Sequence, residues 1–114
     1  MIKLLFDERR SIKSYPFIII FKVIDKREYP ILFGVSASKR NFKKAVDRNR
    51  IKRLVRESYR IQKNALFGDL ERNEFSTAMM ILYVGKSMIT QNEMDSAMIN
   101  AIRKIKFYLS NIER

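Results

Sequence analysis

Three runs of this chain are apolar almost without interruption. Three others are apolar only at every third or fourth position. Residues 17–24 (FIIIFKVI) combine β-branched and aromatic side chains and predict a strand. Residues 31–36 (ILFGVS) predict a second strand, reached through the polar turn 25–30, whose Pro30 cannot sit inside a ladder. So short a connection predicts that the two strands pair as an antiparallel hairpin. Residues 77–84 (TAMMILYV) predict a buried strand ended by Gly85, and residues 11–15 a polar connector with a short strand in it. The helical patterns fall elsewhere. Ile2, Leu5 and Phe6 stand at i, i+3 and i+4 and predict a short first helix over 1–8. Residues 41–64 predict a long central helix, with Gly68 as its stop in the polar loop 66–76. Thr90 and Glu93 match the S/T-x-x-E capping box and open a last helix that runs to about Ser110. Its apolar stripe is Met94, Ala97, Met98, Ala101, Ile102, Ile105 and Leu109. The expected fold is α+β: a small mixed sheet of about four strands packed with helices, an αβββαβα-like sandwich. No repeat, linker or low-complexity tract divides the chain, so residues 1–114 read as one domain.

The central helix has two unlike faces. At about 100° per residue, Ile51, Leu54, Val55, Ser58, Tyr59 and Ile61 fall on one arc of roughly 160°, suited to a sheet. Lys52, Arg56, Asn49, Arg60, Arg53 and Arg50 make the opposite arc. Arg48/Lys52, Lys52/Arg56 and Arg56/Arg60 are like charges at i, i+4, each pair costing a few tenths of a kcal/mol. A helix built for solubility interleaves glutamates, and this one has Glu57 alone. The repulsion makes sense if an external polyanion neutralises it.

Charge over the whole chain agrees. Among 114 residues, 24 Lys and Arg stand against 12 Asp and Glu, a net charge of +12. Residues 39–63 hold eleven of those cations and two of the acids. This concentration points to a polyanionic partner, nucleic acid before membrane surface. The membrane reading is weaker because the helix's apolar arc is needed for the core. Arginine's planar fork also suits bidentate phosphate contacts and stacking on exposed bases. No apolar run is long enough to span a bilayer and no secretory signal is visible, so a cytoplasmic protein is expected. Cysteine and histidine are both absent. That removes disulfides, thiolate zinc sites, cysteine nucleophiles and every serine–histidine triad. The carboxylates are scattered singly, so no residue is expected to be catalytic.

The run Ser38-Lys39-Arg40, then Ala45-Val46-Asp47-Arg48-Asn49-Arg50-Ile51-Lys52-Arg53-Leu54-Val55-Arg56-Glu57, resembles the signature of the protein subunit of bacterial ribonuclease P. That pattern is roughly S-K-K, a spacer, A-V, then R-N-R-x-K-R-x-x-R-E. The resemblance extends from Ile2 to the last helix. Two features depart from it. The spacer Asn41-Phe42-Lys43-Lys44 lacks the usual glycine and is one residue longer, and only five residues precede Phe6.

The resemblance implies a ribonucleoprotein endonuclease that removes the 5′ leader of precursor tRNA. Catalysis and magnesium then belong mainly to the RNA subunit, and neither a membrane nor a protein partner is required. It also implies a left-handed βαβ crossover through the central helix, against the usual right-handed rule. By position, Arg48, Asn49, Arg50, Lys52, Arg53 and Arg56 would face RNA phosphates, with Lys43 and Arg60 extending the surface. Ser38, Lys39 and Arg40 match the approach to the helix, and small Ala45 would allow close backbone approach. Phe6 matches an aromatic of the leader cleft, and Phe17 and Phe21 are candidates for its strand wall. Asp47 and Glu57 are expected to orient neighbouring arginines. Neutralising ~5–8 phosphates would make affinity fall steeply with salt. It would also lower the magnesium needed to hold RNA and substrate together. The alternative is a non-enzymatic RNA-binding protein.

Overall fold

A computed structural model describes residues 10–29, 31–70 and 75–110, and of residues 64–70 and 109–110 the backbone only. The expected first helix over 1–8, with Phe6, lies outside the described residues. Four strands and two helices follow in the order β1 (Arg10–Ser14), β2 (Phe17–Asp25), β3 (Ile31–Ala37), α1 (Ala45–Leu70), β4 (Phe75–Tyr83) and α2 (Gln91–Ser110).

The sheet is mixed, with strand order β1-β2-β4-β3. β1 and β4 both run antiparallel to β2, while β3 runs parallel to β4. The expected β2–β3 hairpin is therefore wrong: β4 lies between the two strands. The 25–29 loop shows how. Ser76, at the start of β4 and fully buried, accepts from the Arg27 amide at 2.8 Å and donates to the Tyr29 carbonyl at 3.0 Å. The loop thus bridges over the end of β4 instead of closing a tight turn. Parallel neighbours need a long crossover, and α1 supplies it between β3 and β4.

Alternation along the strands decides which face is covered. Phe17, Ile19, Phe21 and Val23 of β2, and Met79, Ile81 and Tyr83 of β4, are buried beneath the helices. α1 adds Ile51, Val55 and Tyr59, and α2 adds Met94, Met98, Ala101, Ile102 and Ile105. Both helices lie on this one face. Ile61, expected on the apolar arc of α1, is instead exposed; it sits at the margin of the arc, beside the cationic side.

Two element boundaries differ from expectation. α1 starts at Ala45, not residue 41, because the preceding segment is held as a separate turn. It also runs through Gly68, which has no left-handed backbone conformation and so makes no helix stop. The capping box opens α2 as expected. The Thr90 amide donates to Glu93 Oε1 at 3.0 Å, and the Glu93 amide donates to Thr90 Oγ1 at 3.1 Å. These bonds hold the Glu93 carboxyl below its ordinary pKa of 4.5.

A polar link fixes α1 against α2. Ser58, fully buried, donates to Asp95 Oδ1. Gln91 Nε2 donates to Ser58 Oγ at 2.8 Å and to Asp95 Oδ1 at 3.0 Å. Beside it Tyr59 stacks flat on Phe33 of β3, ring centroids 3.9 Å apart. Removing the shared acceptor leaves the buried Ser58 hydroxyl without the partner it donates to, which costs about 1–3 kcal/mol. Asp95→Ala is therefore expected to lower stability by that amount in urea unfolding, and an unchanged midpoint would show that the link adds nothing.

Candidate nucleic-acid interface

The basic segment begins where β3 ends. Ser38 turns the chain: its hydroxyl accepts from the amides of Arg40 at 3.1 Å and Asn41 at 3.4 Å, and its carbonyl from the Phe42 amide at 3.0 Å. Phe42 drops into the core against Tyr83. Asn41 reaches across to the β4–α2 connection and donates to the Val84 and Gly85 carbonyls at 3.3 and 3.4 Å. Gly85 leaves room there for the Tyr83 ring, since a Cβ would meet its hydroxyl at 2.7 Å. Lys39, Arg40 and Lys43 remain exposed around this anchored turn.

α1 opens on the Lys44 carbonyl, which accepts from the amides of Asp47 and Arg48. Asp47 in the first turn complements the helix dipole. The half-buried Arg48 also has a task within the protein. Its guanidinium donates to the carbonyls of Phe42 at 2.8 Å and Lys43 at 3.0 Å, bracing the turn against the helix. Ser38 likewise serves the turn.

The remaining expected residues do share one surface. Ala45, Asn49, Arg50, Arg53, Arg56 and Arg60 are exposed on α1, with Lys52 half-buried beside them. Asn49, Arg53, Arg56, Glu57 and Arg60 line a shallow groove of about 440 Å³. Glu57 pairs with Arg60, whose Nε lies 3.2 Å from Oε1. That hydrogen bond draws the Glu57 carboxyl below its ordinary value and raises the Arg60 guanidinium. An exposed pair of this kind adds little stability, but it orients Arg60 as expected of Glu57. Among the described residues Arg50, Arg53 and Arg56 have no protein partner, and their charge is left for another molecule.

The side chains of Phe17 and Phe21 point away from the uncovered face of the sheet. Both are buried on the helix-covered face, Phe17 edge-on to Tyr83 and Phe21 edge-on to Tyr108. Strand alternation points their neighbours the other way, and the open face of the sheet presents Ile18, Ile20, Lys22, Leu32 and Met80. A groove of about 520 Å³ runs over it, bounded by β2, β3 and β4. Gly34 keeps this groove low, since a Cβ there would meet Met80 Cε at 2.9 Å. The signal was in β2 itself, where both alternating sets are largely apolar while the two described helices cover one face. No group of three or more metal-ligating side chains gathers among the described residues. Nor is any described helix long and apolar enough to cross a membrane.

Comparison with known proteins adds to this geometry. A family model described as Ribonuclease P matches residues 2–106. The ribonuclease P protein component of Porphyromonas gingivalis is 28% identical over 107 residues, 91% of this chain and 77% of that protein. That of Nitrosococcus oceani is 41% identical over 66 residues, 58% of this chain and 54% of that one. The solved RNase P protein from Thermotoga maritima superimposes with a TM-score of 0.66 at 20% identity, covering 90% of this chain and 88% of that one. The Staphylococcus aureus RNase P protein gives 0.61 at 19%, covering 90% and 85%. These structural likenesses bear on the fold.

The brace is separable from the cationic face. Arg48→Ala is expected to speed hydrogen exchange at the Arg40, Asn41 and Phe42 amides, whereas Arg53→Ala leaves them unchanged. Equal exchange in both variants would contradict the bracing role.

Proposed function

Because the chain belongs to the ribonuclease P protein family, and so is the protein component of an endoribonuclease, we propose that the exposed side of α1 docks the catalytic RNA subunit. The supporting observation is the set Arg50, Arg53 and Arg56, held on one side of a helix whose other side is locked into the core. Guanidinium groups in a row meet successive phosphates and release their counterions. The anchored turn carries Lys39 and Arg40 to the same end of the helix and extends the surface.

The precursor tRNA is the second partner. In this reading its 5′ leader lies along the open sheet face, where Lys22 offers a phosphate contact beside Ile20, Leu32 and Met80. The protein holds and orients RNA, and the bond is cut by chemistry that the RNA subunit supplies. Magnesium sits in that subunit, a reading supported by the scattered carboxylates of the protein, of which Glu57 and Asp95 are already engaged. Cations of α1 substitute for part of the magnesium atmosphere, so assembly needs less of it. The work is done in the cytoplasm, where precursor tRNA is made.

Salt dependence tests the docking surface. Each lost phosphate contact lowers the slope of log affinity against log salt by about one. Arg53→Ala is expected to weaken binding to the RNA subunit and flatten that slope by about one, measured by filter binding across a salt series. An unchanged affinity and slope would count against this surface.

A further inference from the structure

A second basic surface lies at the far end of α2. Phe107 is 72% exposed there, which is unusual for a phenylalanine. With Ile12 of β1 and Arg103, Lys104 and Tyr108 of α2 it lines a shallow groove of about 450 Å³. The Lys104 ammonium donates to the Lys13 carbonyl of β1 at 3.1 Å and ties the helix to the edge strand. Both acids of α2, Glu93 and Asp95, lie in its opening turns, and residues 96–110 contain none. β1 contributes Arg10 and Lys13 and no acid. Among the described residues, the surface is thus an aromatic ring and two aliphatic or aromatic neighbours beside Arg103 and Lys104, with no acid lining it.

Its direction separates it from the docking surface. Gln91 and Asp95 of α2 face α1 through Ser58. Lys104 lies roughly 180° around the helix from Asp95, and Phe107 about 120° from it. The groove therefore opens on the β1 side, away from α1. β1 is also the sheet edge that borders the open face. A strand leaving that face can round the β1 edge, whose Ile12 lines the groove with Phe107.

We propose that this groove binds single-stranded RNA, and that its occupant is the part of the 5′ leader far from the cleavage site. One base stacks on Phe107 while Arg103 and Lys104 meet the adjoining phosphates. A ring with cations around it is the usual platform for unpaired nucleotides, and stacking tolerates any base. The inference rests on leader binding to the open sheet face. It adds to that reading a distal subsite at the β1–α2 edge.

The test uses the full chain assembled with its RNA subunit and two precursors that share one tRNA body, one with a short leader and one with a long leader. Wild-type protein should favour the long leader. Phe107→Ala is expected to reduce the long-to-short affinity ratio by about fivefold or more, and Phe107→Tyr to restore it. A ratio unchanged by Phe107→Ala overturns the proposal. So does a loss equal for both leaders, which would assign the ring to the RNA subunit or to the fold. Retention of wild-type binding to anionic phospholipid vesicles, lost in Phe107→Ala while the leader ratio stays put, would assign the patch to a membrane surface and overturn it too. Lys22→Ala, run in parallel, reports on leader binding to the open sheet face itself, so failure of that reading is seen separately as precursor affinity unchanged by Lys22→Ala.

Discussion

The rotation of α1 about its own axis is the constraint on which the rest depends. Ile51 and Val55 are fully buried, Tyr59 stacks on Phe33, and Ser58 is bonded into the Asp95–Gln91 link. Turning the helix would expose that stripe and carry Arg53 or Arg56 toward the sheet. Burying an unpaired guanidinium costs several kcal/mol, more than any gain open to it there. The apolar contacts therefore dictate where the cations go, and they go to solvent together. Repulsion along the outer face is the cost of that arrangement, and bound phosphates offset it.

Register along the chain is set separately from rotation. The Ser38 turn, Phe42 in the core, Asn41 across to Gly85 and the Arg48 brace fix the point at which the helix begins. These interactions use polar atoms that look, in a one-dimensional pattern, like further phosphate ligands. Their fixed geometry gives Lys39 and Arg40 a defined place beside the helix. A cationic tail without such an anchor would lose more conformational entropy on binding.

Much of this was legible in the amino-acid pattern. The strands, both described helices, the capping box and the one-sided cationic arc follow from local periodicity, which strand and helix geometry impose directly. What failed was non-local. Nothing in residues 17–36 reveals that β4, forty residues on, will insert between β2 and β3. Phe17 and Phe21, candidates for a cleft wall, are buried under the helices, because β2 is apolar on both faces and only packing decides which set a helix covers. Arg48 could not be distinguished from Arg53 without knowing that carbonyls of the preceding turn lie within its reach. Phe107, Arg103 and Lys104 carry no separate signal in a helix whose dominant pattern is its apolar stripe.

The central claim is that Arg50, Arg53 and Arg56 together form the face that meets the RNA subunit. Arginine modification by a dicarbonyl reagent, read residue by residue by mass spectrometry, tests it most directly. All three should react readily in the isolated protein and become protected when the RNA subunit is added, while Arg103 stays reactive until precursor is present. Unaltered reactivity of the three in a complex shown to have formed would contradict the account.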